Sequence, residues 1–279
     1  MSYPPRTTLD DLIARYDVFF VDQFGVLRDD AGAYPGAAEA LVALKKAGKT
    51  VVILSNSGRS GDYNAERFVK LGFPSENFDR FVTSGDAAYA VLSRPDAQLP
   101  ARAKCLTISS GDDRNLADRL GMESVTSAED ADLIIISGSE AETVPMETYR
   151  EMLRPAAIRR LPCICTNPDI HKLVNGSTAP GAGAIAKLYE TLGGSVRWFG
   201  KPHRAIYDFA LKLCENPPPA RVVCIGDSIE HDIRGAKDAG LDSVLVETGI
   251  LAEYGEPDRV ELMDEFGASP TFVMTSFVV

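Results

Sequence analysis

Val18-Phe19-Phe20-Val21-Asp22-Gln23-Phe24-Gly25-Val26-Leu27 sets the architecture of the chain. Four consecutive β-branched or aromatic residues read as a strand buried on both faces, as in parallel sheets covered by helices. The run stops at a carboxylate, and Gly25 permits a tight turn close behind it. The same idiom returns downstream. From Pro35, the residues Ala37, Ala40, Leu41 and Leu44 fall at helical spacing until Gly48. Val51-Val52-Ile53-Leu54 then leads into Ser55, and Asp62 to Leu71 reads as the next helix, stopped by Gly72. Cys105-Leu106-Thr107-Ile108, Leu133-Ile134-Ile135-Ile136 and Leu161-Pro162-Cys163-Ile164-Cys165 are further buried strands, with a helix around Pro145 to Leu153. The last third offers Val196-Arg197-Trp198-Phe199, Val222-Val223-Cys224-Ile225 and Ser243-Val244-Leu245-Val246; Asn216-Pro217-Pro218-Pro219 is a loop. Strands alternating with helices of this size predict an α/β fold on a parallel sheet.

Bulk properties narrow the function. The 279 residues allow one large domain or two modest ones, and 45% hydrophobic content supplies a sizeable core. A formal net charge of -11 argues against a broad nucleic-acid or anionic-membrane surface, which needs clustered Lys and Arg. It leaves room for a small phosphorylated ligand and a divalent metal. Five scattered cysteines, Cys105, Cys163, Cys165, Cys214 and Cys224, read as reduced and buried rather than as a disulfide framework. Cys163-Ile164-Cys165 lacks zinc-site spacing. Met-Ser-Tyr-Pro-Pro has no apolar signal region, and no run approaches the roughly 18 apolar residues of a membrane span, so the cytoplasm is expected.

Ligands of open parallel sheets bind beyond the carboxyl ends of the strands. Those ends present Asp22, Ser55, Lys201 and Asp227. Two carboxylates suit Mg²⁺, which prefers oxygen ligands. A hydroxyl and an ammonium suit phosphate oxygens, and Gly25, Gly200 and Gly226 allow close backbone approach. Each residue also has a bland reading. Asp22, Ser55 and Asp227 serve equally as helix or turn caps when taken alone, and a lone lysine is commonly a surface residue.

Four motifs in order change that balance. Asp22-Gln23-Phe24-Gly25-Val26-Leu27 resembles the first motif of the haloacid dehalogenase superfamily, Leu54-Ser55-Asn56-Ser57 the second, and Gly200-Lys201-Pro202-His203 the third. Gly226-Asp227-Ser228-Ile229-Glu230-His231-Asp232 is similar to the fourth. The long interval from Ser57 to Gly200 resembles the type IIA, or C2-capped, branch that includes pyridoxal phosphate and p-nitrophenyl phosphatases. Thr166-Asn167-Pro168-Asp169 looks like its cap loop, and Pro180-Gly181-Ala182-Gly183-Ala184-Ile185 like the helix start that follows. The resemblance implies a Rossmann-like core, residues 1–84 and 196–279, with an inserted α/β C2-type cap, residues 85–195.

The resemblance also implies roles. Asp22 would attack phosphorus to form an aspartyl-phosphate, with Lys201 and Ser55 as its catalytic partners. Mg²⁺ would be held by Asp22, the Phe24 carbonyl and Asp227. Phe24 and Gly25 amides and Asn56 would bind phosphate, Asp232 would orient Lys201 or a metal-bound water, and Asn167, Asp169 and His171 in the cap loop would contact a small phosphorylated substrate. No nucleic acid or membrane partner is expected; a homodimer is compatible with the branch.

Phe24 departs from the pattern, because family phosphatases carry there the aspartate that protonates the leaving group. General acid–base catalysis is worth about 10²–10⁴-fold. Asp29 and His171 are candidate replacements. Two alternatives stay open: another scissile bond, carbon–halogen or carbon–phosphorus, or a weakly active or non-catalytic binder of phosphometabolites. His203 reads as structural and His231 as lying near the metal loop. Trp198 reads as core, Arg59 equally as surface or anion contact, and Asp238 and Asp242 as solvated.

Overall fold

The computed structural model describes residues 3–279 apart from 98, 100, 101, 175 and 176. In chain order the strands are β1 (Val18–Val21), β2 (Thr50–Ser55), β3 (Arg80–Thr83), β4 (Lys104–Ile108), β5 (Glu123–Val125), β6 (Leu133–Ile136), β7 (Pro162–Cys165), β8 (His171–Val174), β9 (Ser177–Pro180), β10 (Ser195–Trp198), β11 (Val222–Gly226), β12 (Asp242–Val246) and β13 (Phe272–Met274). The chain folds as two compact units.

The first unit, Met1–Ser55, Asp62–Val82 and Lys201–Val279, holds a six-stranded sheet in the order β13-β12-β11-β1-β2-β3. Strand β1 pairs in parallel with β2 and β11, aligning Val21 with Ile53 and with Ile225. All four residues of β1 are buried, as its sequence requires of a central strand. The strand period of two sends Phe19 and Val21, with Val51, Ile53, Val223 and Ile225, to one face. There they pack with Ala37, Ala40, Leu41 and Leu44, the apolar stripe of helix Ala37–Lys46. Truncating Phe19 to Ala would remove a fully buried ring from this cluster, a loss of about 3–5 kcal/mol.

The second unit, Asn56–Gly61 and Thr83–Gly200, holds a five-stranded sheet in the order β10-β7-β6-β4-β5, every neighbouring pair parallel. A separate antiparallel hairpin, β8-β9, pairs His171 with Pro180. Its two short strands, His171–Val174 and Ser177–Pro180, show no apolar alternation, so the expectation of His171 in a loop is corrected: it opens β8 and is exposed. Helix Met146–Arg159 runs past the expected end at Leu153 and through Pro155. An interior proline costs about 3 kcal/mol. The continuing stripe of Tyr149, Leu153, Ala156 and Ala157, packed with Ile134 and Ile185, offsets it.

Strand β10 requires a second correction. Its sequence suggested a place in the Asp22 sheet, with a unit boundary between 195 and 196. Instead Val196 registers against Cys163 of β7, and Val196 and Trp198 pack on the apolar cluster around Tyr189. The second unit therefore extends to Gly200. Cys105, Cys163, Cys165 and Cys224 are buried and unbridged, and burial pushes their thiols above the ordinary range. Among the described residues no helix is long and apolar enough to cross a membrane.

Candidate active site

Register places the first unit's polar strand ends together. Asp22 is one residue past Val21, and its N–H donates to the Ile225 carbonyl at 2.9 Å. Asp227 directly follows β11, and half-buried Ser55 closes β2. Lys201 arrives differently, from the turn after β10, with a cis peptide bond to Pro202. The expectation of four ends of one sheet thus becomes three ends and a turn.

Lys201 donates to Asp22 Oδ1 at 2.6 Å and to Asp232 Oδ1 at 2.7 Å; the Lys201 and Asp232 side chains are only 4% and 5% exposed. Asp232 is aimed by a single π-type turn, Ile229–Ile233, a distortion frequent at functional sites. The Ser228 hydroxyl accepts the His231 N–H, and the Ser228 N–H donates to Asp232 Oδ2 at 3.1 Å. Both oxygens of Asp232 therefore have protein donors, which fits a positioning role toward Lys201.

Asp227 is held from the far side of its strand. Its Oδ2 accepts the Ile250 N–H at 2.8 Å, while Thr248 donates to the Gly25 carbonyl at 2.6 Å. Gly25 and Gly249 both have positive φ, and a Cβ on either would lie within 2.0 Å of Asp227 Oδ2. Thr248-Gly249-Ile250 was missed by sequence reasoning. The signal was present: this segment follows β12, the neighbour of β11 in the sheet.

Charge does not balance in this cluster. Asp22, Asp227 and Asp232 each offer an oxygen, all within 4.8 Å of one another. Three carboxylates face one ammonium, an excess of two negative charges in a buried place, where unpaired charge is costly. Burial pushes Asp22 up to about 7, with Asp232 adding to the shift and Lys201 opposing it. Burial also raises Asp227 well above the carboxylate range, helped by Asp22. Burial works against the Lys201 ammonium, but Asp22 and Asp232 outweigh it and raise its pKa. An all-oxygen set with this excess fits a divalent cation.

In the loop after Asp22, the Gly25 N–H donates to the Arg28 carbonyl at 2.8 Å. That amide is engaged within the loop, which corrects its expected role as a phosphate donor. Asp29 Oδ1 accepts the Ala31 and Gly32 N–H groups, an Asx turn, so this carboxylate shapes its own loop.

In the second unit, buried Asn56 donates to Asp169 Oδ1 at 2.8 Å, and Asn167 Oδ1 accepts the Asp169 N–H at 3.1 Å. Gly200 packs close to Asn56 and Pro168. The loop residues chosen from sequence thus carry local structural duties. His203 occupies the N-cap position of helix Arg204–Leu213, and Trp198 donates to Glu190 at 3.0 Å.

A family model described as haloacid dehalogenase-like hydrolase matches residues 19–123, and a HAD-hydrolase-like model matches residues 198–278. The chain belongs to the haloacid dehalogenase-like hydrolases. Its relatives are consistent with the type IIA branch expected from its motifs, and it is an enzyme of the hydrolase class. It is similar to human chronophin, 28% identical over 87% of this chain and 84% of that one. D-glycerol 3-phosphate phosphatase of Mycobacterium tuberculosis is 25% identical over 90% and 69%. The solved structure of a haloacid dehalogenase-like hydrolase from Brucella suis 1330 is 31% identical, with a TM-score of 0.84 over 99% of this chain and all of that one. As in its relatives, an α/β core with a parallel sheet is accompanied by further α/β structure.

Proposed function

We propose that this chain is a Mg²⁺-dependent hydrolase of small phosphorylated metabolites acting through an aspartyl-phosphate on Asp22. The observation that carries the reading is the buried cluster in which Asp22, Asp227 and Asp232 share a single ammonium. Relatives named as phosphatases, D-glycerol 3-phosphate phosphatase among them, support the substrate class.

In this reading Asp22 attacks phosphorus, forming an O–P bond as the bond to the leaving oxygen breaks; water then hydrolyses the acyl phosphate and frees Asp22. Lys201 keeps Asp22 oriented and offsets charge on the transferring group, while Asp232 holds Lys201. Ser55, Asn56 and the Phe24 N–H bind phosphate oxygens. Asp22, Asp227 and the Phe24 carbonyl would hold Mg²⁺, which when bound supplies positive charge for the phosphoryl oxygens. Phe24 offers no proton, so the leaving group must depart as an anion or take its proton from water, and esters with acidic leaving groups are favoured. The second unit serves specificity through Asn167, Asp169 and His171. The reading includes a homodimer and a cytoplasmic location.

The test is phosphate release with and without Mg²⁺ by wild type, Asp22→Asn and Phe24→Asp. Metal-dependent release by wild type, absent in Asp22→Asn and faster on alkyl phosphates in Phe24→Asp, is expected. No release by wild type or Phe24→Asp from any ester would overturn the reading.

A further inference from the structure

Arg28 is a cation that the catalytic cluster does not use. Its backbone bridges to Phe24, and its guanidinium carbon lies 5.1 Å from the centre of the Phe24 ring, two residues from the nucleophile. Stacking on the ring face is a cation–π contact that fixes the plane of the guanidinium.

The hydrogen bonds of this side chain are lopsided. Nη1 donates to the Asp29 carbonyl at 2.6 Å. Nε is buried and has no acceptor, and no acceptor for Nη2 occurs among the described residues. Nε and Nη2 form the edge that a carboxylate grips with two parallel bonds. Arg28 forms no ion pair among the described residues. Asp30 and Asp29 act on it from a distance, and Asp29 is engaged in its own turn. Burial lowers the pKa of Arg28; the charge of Arg67 adds to this, and Asp30 and Asp29 oppose it. A buried donor without an acceptor costs about 1–3 kcal/mol, so this edge is retained against a penalty.

Its setting explains what could compensate. Lys201 is engaged by Asp22 and Asp232. In a chain of net charge -11, Arg28 is therefore the cation that the nucleophile loop itself supplies for anything beyond the transferring phosphate.

We propose that Arg28, stacked on Phe24, binds a carboxylate on the leaving portion of the substrate, so that the enzyme selects small phosphorylated acids. This rests on the phosphatase reading above and names its substrate class. Phe24 then has a positive function: it gives up proton donation and orients the guanidinium that recognises the leaving group. A planar two-oxygen anion matches the unsatisfied edge, whereas the hydroxyl of a neutral polyol does not.

The experiment measures binding separately from turnover. Calorimetric titration of the Mg²⁺-loaded protein uses two non-hydrolysable probes, methylphosphonate and 3-phosphonopropionate. Wild type is expected to bind the carboxylated probe roughly 10–100-fold more tightly, the range of a charge-assisted hydrogen-bonded pair. Arg28→Gln should erase that preference and leave methylphosphonate affinity unchanged. Arg28→Lys, which keeps the charge and loses the fork, should retain a part of it, and it guards against a folding failure of the glutamine variant. Equal affinity of wild type for both probes, binding of neither, or a preference that survives Arg28→Gln would overturn the inference. Selective binding without phosphate release from any ester would overturn the phosphatase reading and leave the Arg28 assignment standing.

Discussion

The sheet that carries Asp22 and the sheet built from β4, β5, β6, β7 and β10 obey the same rules and end in different chemistry. The pairs from β13 through β2 in the first and every pair in the second are parallel, and both sheets bury their central strands. Beyond the carboxyl ends of the second sheet lie Ser109-Ser110, Ser137-Gly138-Ser139 and Thr166. Hydroxyl hydrogen bonds tie them together: Ser110 donates to the Ser139 carbonyl at 3.0 Å, Ser139 to the Pro180 carbonyl at 2.7 Å, and Ser84 to the Thr166 carbonyl at 2.5 Å; the ammonium of Lys172, which also donates to the Ser139 carbonyl, is matched by Glu142. Beyond the ends of the first sheet lie three carboxylates and one ammonium, two of the carboxylates with strongly raised pKa values. A parallel α/β sheet supplies a place where ligands bind, and the residues set there decide whether chemistry follows. In the second sheet those positions favour stability. In the first they hold charge that the protein alone does not neutralise.

The largest expected effect lies in the charged cluster. Asp22→Asn should reduce phosphate release by about 10⁴-fold or more while leaving the circular dichroism spectrum intact, as loss of a nucleophile does elsewhere. Retention of more than a few per cent of wild-type turnover would place the nucleophile at another residue. Next comes Lys201→Met, which leaves Asp22 and Asp232 without their shared cation. Unpairing buried charges costs about 3–5 kcal/mol, to be read from urea denaturation of the metal-free protein.

The pH dependence of stability sharpens the contrast. Burial raises the folded-state pKa of Asp22 to about 7, above the unfolded value near 3.8. The folded protein therefore binds more protons between these values, and its metal-free stability falls as pH rises through this window, by up to about 1.4 kcal/mol per pH unit. Asp22→Asn should remove this slope, so its stability relative to wild type grows from pH 4 to pH 7; a constant difference would show that Asp22 ionises normally. The smallest effect belongs to the second sheet. Ser139→Ala removes the donor to Pro180 and the acceptor for the Ala141 N–H. It should cost about 1–3 kcal/mol, with the Mg²⁺ dependence of turnover unchanged.

Much of this was legible in the sequence. Val18–Val21 and Val222–Ile225 are apolar enough to be buried strands wherever they fall in the sheet, and the residues after them follow by register. Lys201 was singled out, and it does donate to Asp22 and Asp232, but the strand before it was assigned to the wrong sheet, because a short run does not say which neighbours it pairs with. Two features escaped. Thr248-Gly249-Ile250 holds Asp227 through backbone atoms, which leave little trace in side-chain chemistry. Arg28 looked like one arginine among many; its significance comes from stacking on Phe24 and from an unsatisfied edge, both of which require coordinates.

The claim that Asp22 forms a phospho-enzyme is tested most directly by acid-quenching the protein during Mg²⁺-dependent turnover of p-nitrophenyl phosphate, followed by peptide mapping by mass spectrometry. A phosphoryl group on Asp22, absent from the Asp22→Asn variant, is the predicted result. Turnover with no phosphorylated peptide at any quench time, or a phosphoryl group on another residue, would contradict it.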